Sequence, residues 1–313
     1  MSDAMRTVRT LDVMGYIAAP VLPMRDDGAI DLDTMDAYVR WIAEDGPKAI
    51  VVNSSAGEGE LLHPEERARV LERVVRAVGS RLPVVAGIIS EFTEDAVAQA
   101  RSAGRAGAAG LLVFPPRAFG GEGLPAGAVV GYHRAIIEAS GLPVILFHRP
   151  AQFGGVVYPA ETLRLLAGLE GVVGLKEASF DATRFLQIVR LNRTFPRPLA
   201  ILTGNDTFIY ESYLLGADGA LLGMGATATA PQIAMLDAVR RGDLVAGAAL
   251  RDRLDPLCQA IYAPPLRNYR VRMKEALVFQ GVLKNAVVRA PLPPASDDER
   301  ALIRRALIHA GLL

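Results

Sequence analysis

Short apolar segments alternate with longer amphipathic segments along most of this chain, and this alternation constrains its fold more than any other feature. Between Tyr16 and about Arg241 there are eight such pairs, each an apolar run of strand type followed by a stretch with helical periodicity. The predicted strands lie at residues 16–21, 48–53, 83–89, 110–114, 143–147, 172–176, 199–203 and 218–222. Several are rich in Val, Ile and Leu without polar alternation, which is typical of parallel strands buried on both faces.

Eight βα units in succession favour an α/β fold, specifically a (β/α)8 TIM barrel. An open doubly wound sheet is the alternative, but no G-x-G-x-x-G motif follows the first predicted strand. After Gly242 the strand pattern stops, and helices are predicted at about 243–262, 268–282 and 297–311. We therefore expect an N-terminal tail over residues 1–13, a barrel over 14–241 and a C-terminal helical region over 242–313 that packs on the barrel.

The composition narrows the class of function. The 313 residues are 51% hydrophobic and 22% charged with a formal net charge of zero, so a large core is available and no global charge attracts nucleic acid or anionic lipid. Cys258 is the only cysteine, which excludes an internal disulfide and suits the cytoplasm. Neither a signal peptide nor an uncharged apolar run of about 18 residues is present, so no membrane association is expected. A small-molecule substrate is the expected partner.

A lysine stands at the C-terminal end of the sixth predicted strand, in the otherwise apolar run 172–176. Lysine is scarce here, with four lysines against thirty arginines, and arginine can neither lose its proton nor form an imine. A lysine in an apolar pocket is a candidate nucleophile, because burial favours the neutral amine. The alternative interpretation of Lys176 is a strand-end side chain that reaches water or pairs with Glu177.

Two motifs resemble one known family. Residues 174–179, Gly-Leu-Lys-Glu-Ala-Ser, resemble the G-[IL]-K-E-[AS] signature of the dihydrodipicolinate synthase/N-acetylneuraminate lyase family. Residues 54–58, Ser-Ser-Ala-Gly-Glu, are similar to the family's G-[ST]-T-G-E loop after the second strand. Weaker matches occur at 64–67, 142–146, 203–206 and 274–277, so the resemblance spans about residues 16–282.

The resemblance implies a class I lyase that uses neither a cofactor nor a metal. It implies that Lys176 forms a Schiff base with pyruvate or another 2-keto acid, and that a homotetramer or homodimer forms. Ser55 keeps a hydroxyl of the family's loop and is a candidate proton carrier. The resemblance further implies substrate contacts at Ser54, Ala56, Gly57, Phe147, Gly204, Asn205 and Leu221.

Three positions depart from the family's pattern. Phe147 stands where the family usually has a tyrosine that relays protons, and Pro115-Pro116-Arg117 replaces the P-Y-Y pattern after the fourth strand. Gln152 stands where the synthases carry an arginine for the second substrate. These departures argue against dihydrodipicolinate synthesis and favour a lyase of 2-keto-3-deoxy sugar acids, by dehydration in preference to aldol cleavage.

Several alternatives stay open. The chain could be a 4-hydroxy-tetrahydrodipicolinate synthase, or a catalytically silent barrel that binds a keto acid. A metal-dependent aldolase is disfavoured because no carboxylate and histidine cluster stands at the predicted strand ends. Arg117 and Arg149 are candidates for binding a distal carboxylate. His148 is interpreted as structural, since strand alternation sends it to the face opposite Phe147.

Overall fold

The computed structural model describes residues 9–120, 124–149 and 154–313, and eight short strands form its centre. The strands are β1 (Tyr16–Ala18), β2 (Ala49–Val52), β3 (Val84–Ile88), β4 (Gly110–Val113), β5 (Val144–His148), β6 (Val172–Glu177), β7 (Ala200–Thr203) and β8 (Gly219–Leu222). Each observed strand overlaps one of the eight segments that the apolar pattern predicts.

The strands are parallel and close into a barrel in chain order, with β1 bonded to both β2 and β8. Ile17, for example, is paired with Ala49 on one side and with Leu221 on the other. Nearly every strand residue is buried, because the barrel interior covers one face of the sheet and helices cover the other. The (β/α)8 TIM-barrel prediction is therefore confirmed, and the open doubly wound sheet is wrong.

The described residues also form eleven α-helices. They are α1 (Leu32–Glu44), α2 (Pro64–Val78), α3 (Thr93–Arg105), α4 (Ala126–Ser140), α5 (Ala160–Ala167), α6 (Ala182–Asn192), α7 (Ile209–Leu215), α8 (Thr229–Arg240), α9 (Leu244–Tyr262), α10 (Tyr269–Phe279) and α11 (Asp297–His309). Helix α1 begins where Asp31 accepts the N–H of Thr34 at 3.0 Å. No helix in the described ranges is both long and apolar enough to cross a bilayer.

The last three helices form the C-terminal appendage that the sequence predicts. Helix α9 packs against α8, and α11 packs against α9 and α10. Residues 269–277 of α10 are all buried, although four of them are charged. These charges are paired within the protein, as where Arg272 contacts Glu299 at 2.6 Å. The division of the chain at residue 242 stays a prediction.

Candidate active site

The C-terminal ends of the strands surround a small cavity of about 40 Å³ at the rim of the barrel. Enzymes with this fold place their active sites at this rim, because the loops that follow the strands converge there. Residues from the loops after β2 and β7 and from β5 and β6 line the cavity, including Ser55, Ala56, Phe147, Lys176 and Gly204. The fold thus brings together both predicted catalytic residues and three of the predicted substrate-binding residues.

Lys176 reaches the cavity from β6 and is 8% exposed. Its Nζ lies 4.6 Å from the centre of the Phe147 ring on the neighbouring strand β5. Burial lowers the pKa of Lys176 to about 8, and the negative charge of Asp206 opposes part of that change. At pH 7 about one molecule in ten then carries the neutral amine, against roughly one in 3,000 for an unperturbed lysine.

Gly204, directly after β7, leaves the space that the lysine side chain occupies. A Cβ at this position would lie 2.8 Å from Cε of Lys176 and 2.7 Å from Cβ of Ala178. Both distances are well inside the optimal separation of about 3.5–4.0 Å between carbon atoms. A side chain at position 204 would therefore displace the reactive amine.

The loop after β6 is held in place by the side chain of Asn205. Its Oδ1 accepts the N–H of Phe180 at 2.7 Å, and its Nδ2 donates to the Glu177 carboxylate at 2.9 Å. Phe180 has a φ of 59°, an unusual conformation for a bulky residue, and its ring lines the cavity. Asn205 itself does not line the cavity, and Leu221 is buried within β8. Their predicted substrate contacts stay predictions.

The loop after β2 presents Ser55 and Ala56 to the cavity. Ser54 is buried, and its Oγ accepts the N–H of Gly57 at 3.3 Å, which closes the turn. A Cβ on Gly57 would lie 3.1 Å from the carbonyl oxygen of Pro20, so a larger residue would crowd the backbone. Small residues in such a turn let an anionic group approach backbone N–H groups closely.

Charged residues of α10 hold the β2 loop from the side of the appendage. Glu58 and Lys274 form an ion pair at 2.5 Å in which both side chains are fully buried. Arg270 donates from Nε to the carbonyl oxygen of Ser55 at 2.6 Å. The C-terminal appendage therefore shapes the predicted substrate loop, a link that no pattern in the sequence predicted.

A second titratable group, Asp206, lies beside Lys176 on the loop after β7. It is 7% exposed, and it accepts the N–H of Met224 at 3.1 Å. Burial raises the pKa of Asp206 to about 6, although the N–H of Met224, the neighbouring hydroxyl of Tyr262 and the charge of Lys176 act to lower it. Sequence reasoning gave this residue no role, although the weak family match at 203–206 after the seventh predicted strand includes it.

Two phenol rings from the appendage complete the cavity wall. Tyr262 is the last residue of α9, and Tyr269 is the first residue of α10. The rings are stacked, with centroids 5.5 Å apart and planes 15° apart. Burial raises the pKa of both hydroxyls, so both are protonated at neutral pH. Sequence reasoning missed both residues, because no local spacing relates them to the strand ends.

The ring beneath the reactive amine lacks a hydrogen-bonding group. Phe147 is 2% exposed and packs edge to face against Phe114, with centroids 5.0 Å apart. The family's usual tyrosine would place a hydroxyl on this ring. The departure noted in the sequence therefore concerns a residue in direct contact with Lys176.

The two arginines considered for a distal carboxylate have partners elsewhere. Arg149 is 11% exposed in its side chain and donates to Glu60 at 2.6 Å. Arg117 is 77% exposed in its side chain and pairs with Glu91 at 3.1 Å. Neither arginine lines the cavity. Their carboxylate-binding role stays a prediction that these contacts do not support, and Gln152 lies outside the described residues.

The histidine beside Phe147 is buried away from the cavity. His148 Nε2 accepts the N–H of Tyr158 at 3.2 Å, and burial lowers the pKa of His148 to about 3. A neutral, hydrogen-bonded imidazole is consistent with the structural role predicted for it. Within the described ranges, no three His, Cys, Asp or Glu side chains come together as a metal-binding group.

Comparisons with known proteins agree with this architecture. A sequence model of the dihydrodipicolinate synthetase family matches residues 12–310. The 4-hydroxy-tetrahydrodipicolinate synthase of Kineococcus radiotolerans is 34% identical over 297 residues, which cover 95% of this chain and 92% of that protein. The dihydrodipicolinate synthase of Acinetobacter baumannii, solved with pyruvate, has 26% identity and a TM-score of 0.84, covering 96% of this chain and 100% of its own. A structure described as a monomeric dihydrodipicolinate synthase variant has 26% identity and a TM-score of 0.86 over 100% of both chains.

The chain forms a closed parallel barrel with a buried amine at the carboxyl ends of its strands. TIM-barrel enzymes place their active sites at this end of the barrel. The family match covers almost the whole chain, including the lysine strand and the appendage. This protein belongs to the dihydrodipicolinate synthetase family and, like the members of that family, it is a lyase. The resemblance seen in the sequence motifs is thereby confirmed.

Proposed function

We propose that this protein is a class I lyase that forms a Schiff base between Lys176 and the C2 carbonyl of a 2-keto acid. The observation that carries the proposal is the environment of the lysine: a buried amine with a lowered pKa opens onto a cavity at the catalytic rim. An amine attacks a carbonyl only in its neutral form, and burial supplies that form near neutral pH. The substrate is pyruvate or the keto-acid end of a 2-keto-3-deoxy sugar acid.

The β2 loop is the proposed site for the substrate's carboxylate. Ser55 offers a hydroxyl, and the loop backbone around Ala56 offers N–H donors at the cavity wall. In a 2-keto acid the carboxylate carbon is bonded directly to the carbon that Lys176 attacks. The β2 loop and the amine of Lys176 lie on opposite sides of one small cavity. They can therefore contact the carboxylate and the adjacent carbonyl carbon of one substrate at the same time.

Dehydration is the reaction that we favour for the iminium formed at Lys176. Aldol cleavage requires proton transfer at the C4 oxygen while a carbon–carbon bond breaks, and the family's phenol at this ring assists that step. Phe147 has no hydroxyl group and cannot assist this proton transfer. Dehydration instead removes a proton from C3 and expels the C4 hydroxyl, for which Ser55 or a water molecule in the cavity is a local proton carrier.

Synthesis of 4-hydroxy-tetrahydrodipicolinate is the second candidate function, because several relatives about 30% identical carry that name. The missing phenol at Phe147 and the altered sequence at Pro115 and Pro116 argue against it. A catalytically silent keto-acid-binding barrel is a third candidate. The presence of a buried lysine at position 176 argues against this third candidate.

One experiment separates these functions. Purified protein is supplied with five- and six-carbon 2-keto-3-deoxy acids, and the products are identified by NMR. A dehydrated keto acid of unchanged carbon number is the expected product, whereas pyruvate with an aldehyde would contradict dehydration. In parallel, pyruvate and aspartate semialdehyde should condense slowly or not at all. Turnover at about 1–10³ per second in that assay would establish the synthase instead.

The assembly state belongs to the same proposal. Family resemblance implies a homotetramer or homodimer, whereas one related structure is described as a monomeric variant. Light scattering coupled to size-exclusion chromatography measures the assembly directly. A mass close to the 33.4 kDa of one chain would contradict the proposed oligomer.

A further inference from the structure

Tyr262 is fitted closely into the wall of the lysine cavity. A Cβ on Gly223 would lie 2.9 Å from the hydroxyl oxygen of Tyr262, so the glycine leaves room for that hydroxyl. The Tyr269 ring stacks on it at 5.5 Å, and the Phe180 ring lies 6.3 Å away. The phenol thus occupies a defined position, although it comes from the appendage and not from a barrel strand.

The hydroxyl of Tyr262 contacts Sδ of Met273 at 3.8 Å and lies beside the carboxyl group of Asp206. Both residues line the cavity that Lys176 lines, and Asp206 is close enough to interact electrostatically with its amine. The N–H of Met224 donates to Asp206 at 3.1 Å, which orients the carboxylate. A carboxyl group and a neighbouring phenol that line one cavity can pass a proton to and from a reacting carbon.

The other titratable groups around Asp206 stay in one protonation state near neutrality. Burial raises the pKa of Tyr16, Tyr213, Tyr262 and Tyr269 and of the Cys258 thiol, so all five remain protonated. Burial raises the pKa of Asp206 to about 6 and lowers the pKa of Lys176 to about 8. Between those values the cavity holds a carboxylate beside neutral phenols, the state that a general base requires.

We propose that Asp206 and Tyr262 are the proton-transfer pair of this active site, replacing the phenol that Phe147 lacks. The proposal rests on the Schiff-base function proposed above. It assigns the appendage a catalytic contribution through Tyr262.

The pair accounts for every proton in dehydration and takes the place of Ser55 or water as the proton carrier. The Asp206 carboxylate takes the C3 proton of the iminium, and the C–H electrons form the C2–C3 double bond while the nitrogen becomes a neutral enamine. The pair then returns the proton through Tyr262 to the departing C4 hydroxyl, which leaves as water. The enamine electrons form the C3–C4 double bond, the iminium is restored, and its hydrolysis frees Lys176 and the product.

Pyruvate is a sufficient probe, because removal of its C3 proton requires no knowledge of the natural substrate. In D2O, NMR follows the replacement of pyruvate methyl protons by deuterium, and borohydride trapping measures the adduct at Lys176 separately. Asp206→Asn removes the base, and Tyr262→Phe removes the group through which Asp206 gives up the captured proton. Each variant should therefore slow the exchange by about 10²- to 10⁴-fold while the adduct still forms. Tyr210→Phe is the matched control, because its hydroxyl bonds to Leu244 at 2.9 Å on the outer helices. It should exchange at the wild-type rate.

A pH profile distinguishes catalysis from mere support of the fold. Because the charge of Asp206 raises the pKa of Lys176, Asp206→Asn should move the midpoint of adduct formation to lower pH. Exchange at the wild-type rate in either variant, or a wild-type adduct without exchange, would overturn the proton-transfer pair. Absence of any wild-type adduct would instead overturn the Schiff-base function itself.

Discussion

A Cβ on Gly204 would lie 2.8 Å from Cε of Lys176, so this glycine determines where the reactive amine can sit. The second close atom, Cβ of Ala178 at 2.7 Å, is fixed to the backbone and cannot rotate away. We expect Gly204→Ala to displace the amine and to slow adduct formation with pyruvate by about 100-fold, the cost of a misplacement of roughly 1 Å. Timed borohydride quenching with intact mass spectrometry measures the rate.

Gly131→Ala provides the control for that substitution. Gly131 lies in α4, and an added Cβ there would have nothing within 4 Å. The change should leave the adduct rate intact and stabilise the helix slightly, since glycine in a helix costs about 1 kcal/mol relative to alanine. An unchanged rate in Gly204→Ala would show that the lysine does not depend on this contact.

The pH dependence of adduct formation follows from the burial of Lys176. Its pKa is about 8 in the folded protein, and only the neutral amine reacts. The rate at low pyruvate should therefore rise about tenfold per pH unit below pH 8 and level off above it. Trapping rates measured between pH 6 and 10 check this. A rise that continues to pH 10 would indicate an unperturbed, solvent-exposed lysine.

The buried ion pair between Glu58 and Lys274 should stabilise both the folded protein and the β2 loop. Lys274→Met leaves the Glu58 carboxylate buried without its partner, which costs about 3–5 kcal/mol in the free energy of unfolding. Glu58→Gln combined with Lys274→Met should recover much of that loss, because no lone charge remains. Urea unfolding followed by circular dichroism gives the three values.

The exposed pair Arg117 and Glu91 is the natural comparison. Their side chains are 77% and 53% exposed, so Arg117→Ala should change the free energy of unfolding by less than about 1 kcal/mol. A loss in Lys274→Met no larger than this would mean that the β2 loop does not rely on the ion pair between Glu58 and Lys274.

The barrel could be predicted from the sequence because its signal is local. A strand buried on both faces must be apolar throughout, so segments such as 48–53 and 110–114 can be recognised as strands without knowledge of their neighbours. Lys176 was visible for the same reason, as a charged side chain that ends an apolar run. Once the barrel fold was predicted, the position of Lys176 at the rim followed from its place at the end of a strand.

The remainder of the site depends on contacts between distant segments. Tyr262 and Asp206 meet across 56 positions of chain, and helical periodicity in α9 says nothing about which barrel loop its last residue reaches. Arg149 looked available because it lies on a rim loop, but its partner Glu60 comes from the loop after β2. Such pairings are fixed by the packing of loops and appendage, which the alternating pattern does not encode.

The contacts of the two rim arginines lead to a prediction about substrate binding. Arg117→Ala should leave KM within about twofold of wild type, since a solvated ion pair on the surface contributes little. Arg149→Ala should impair turnover, because it deprives Glu60 of its 2.6 Å partner beside the β2 loop. Steady-state kinetics on the best 2-keto-3-deoxy acid measure both. A tenfold rise in KM confined to Arg117→Ala would restore its role in binding a distal carboxylate.

Covalent trapping at Lys176 tests the central claim most directly. Incubation with pyruvate and borohydride should add one reduced pyruvyl group, and peptide mapping should place it at Lys176. Lys176→Arg should abolish the adduct without unfolding the protein, because arginine keeps the positive charge but cannot form the imine. No adduct with pyruvate or any 2-keto-3-deoxy acid, or an adduct at another lysine, would contradict the account.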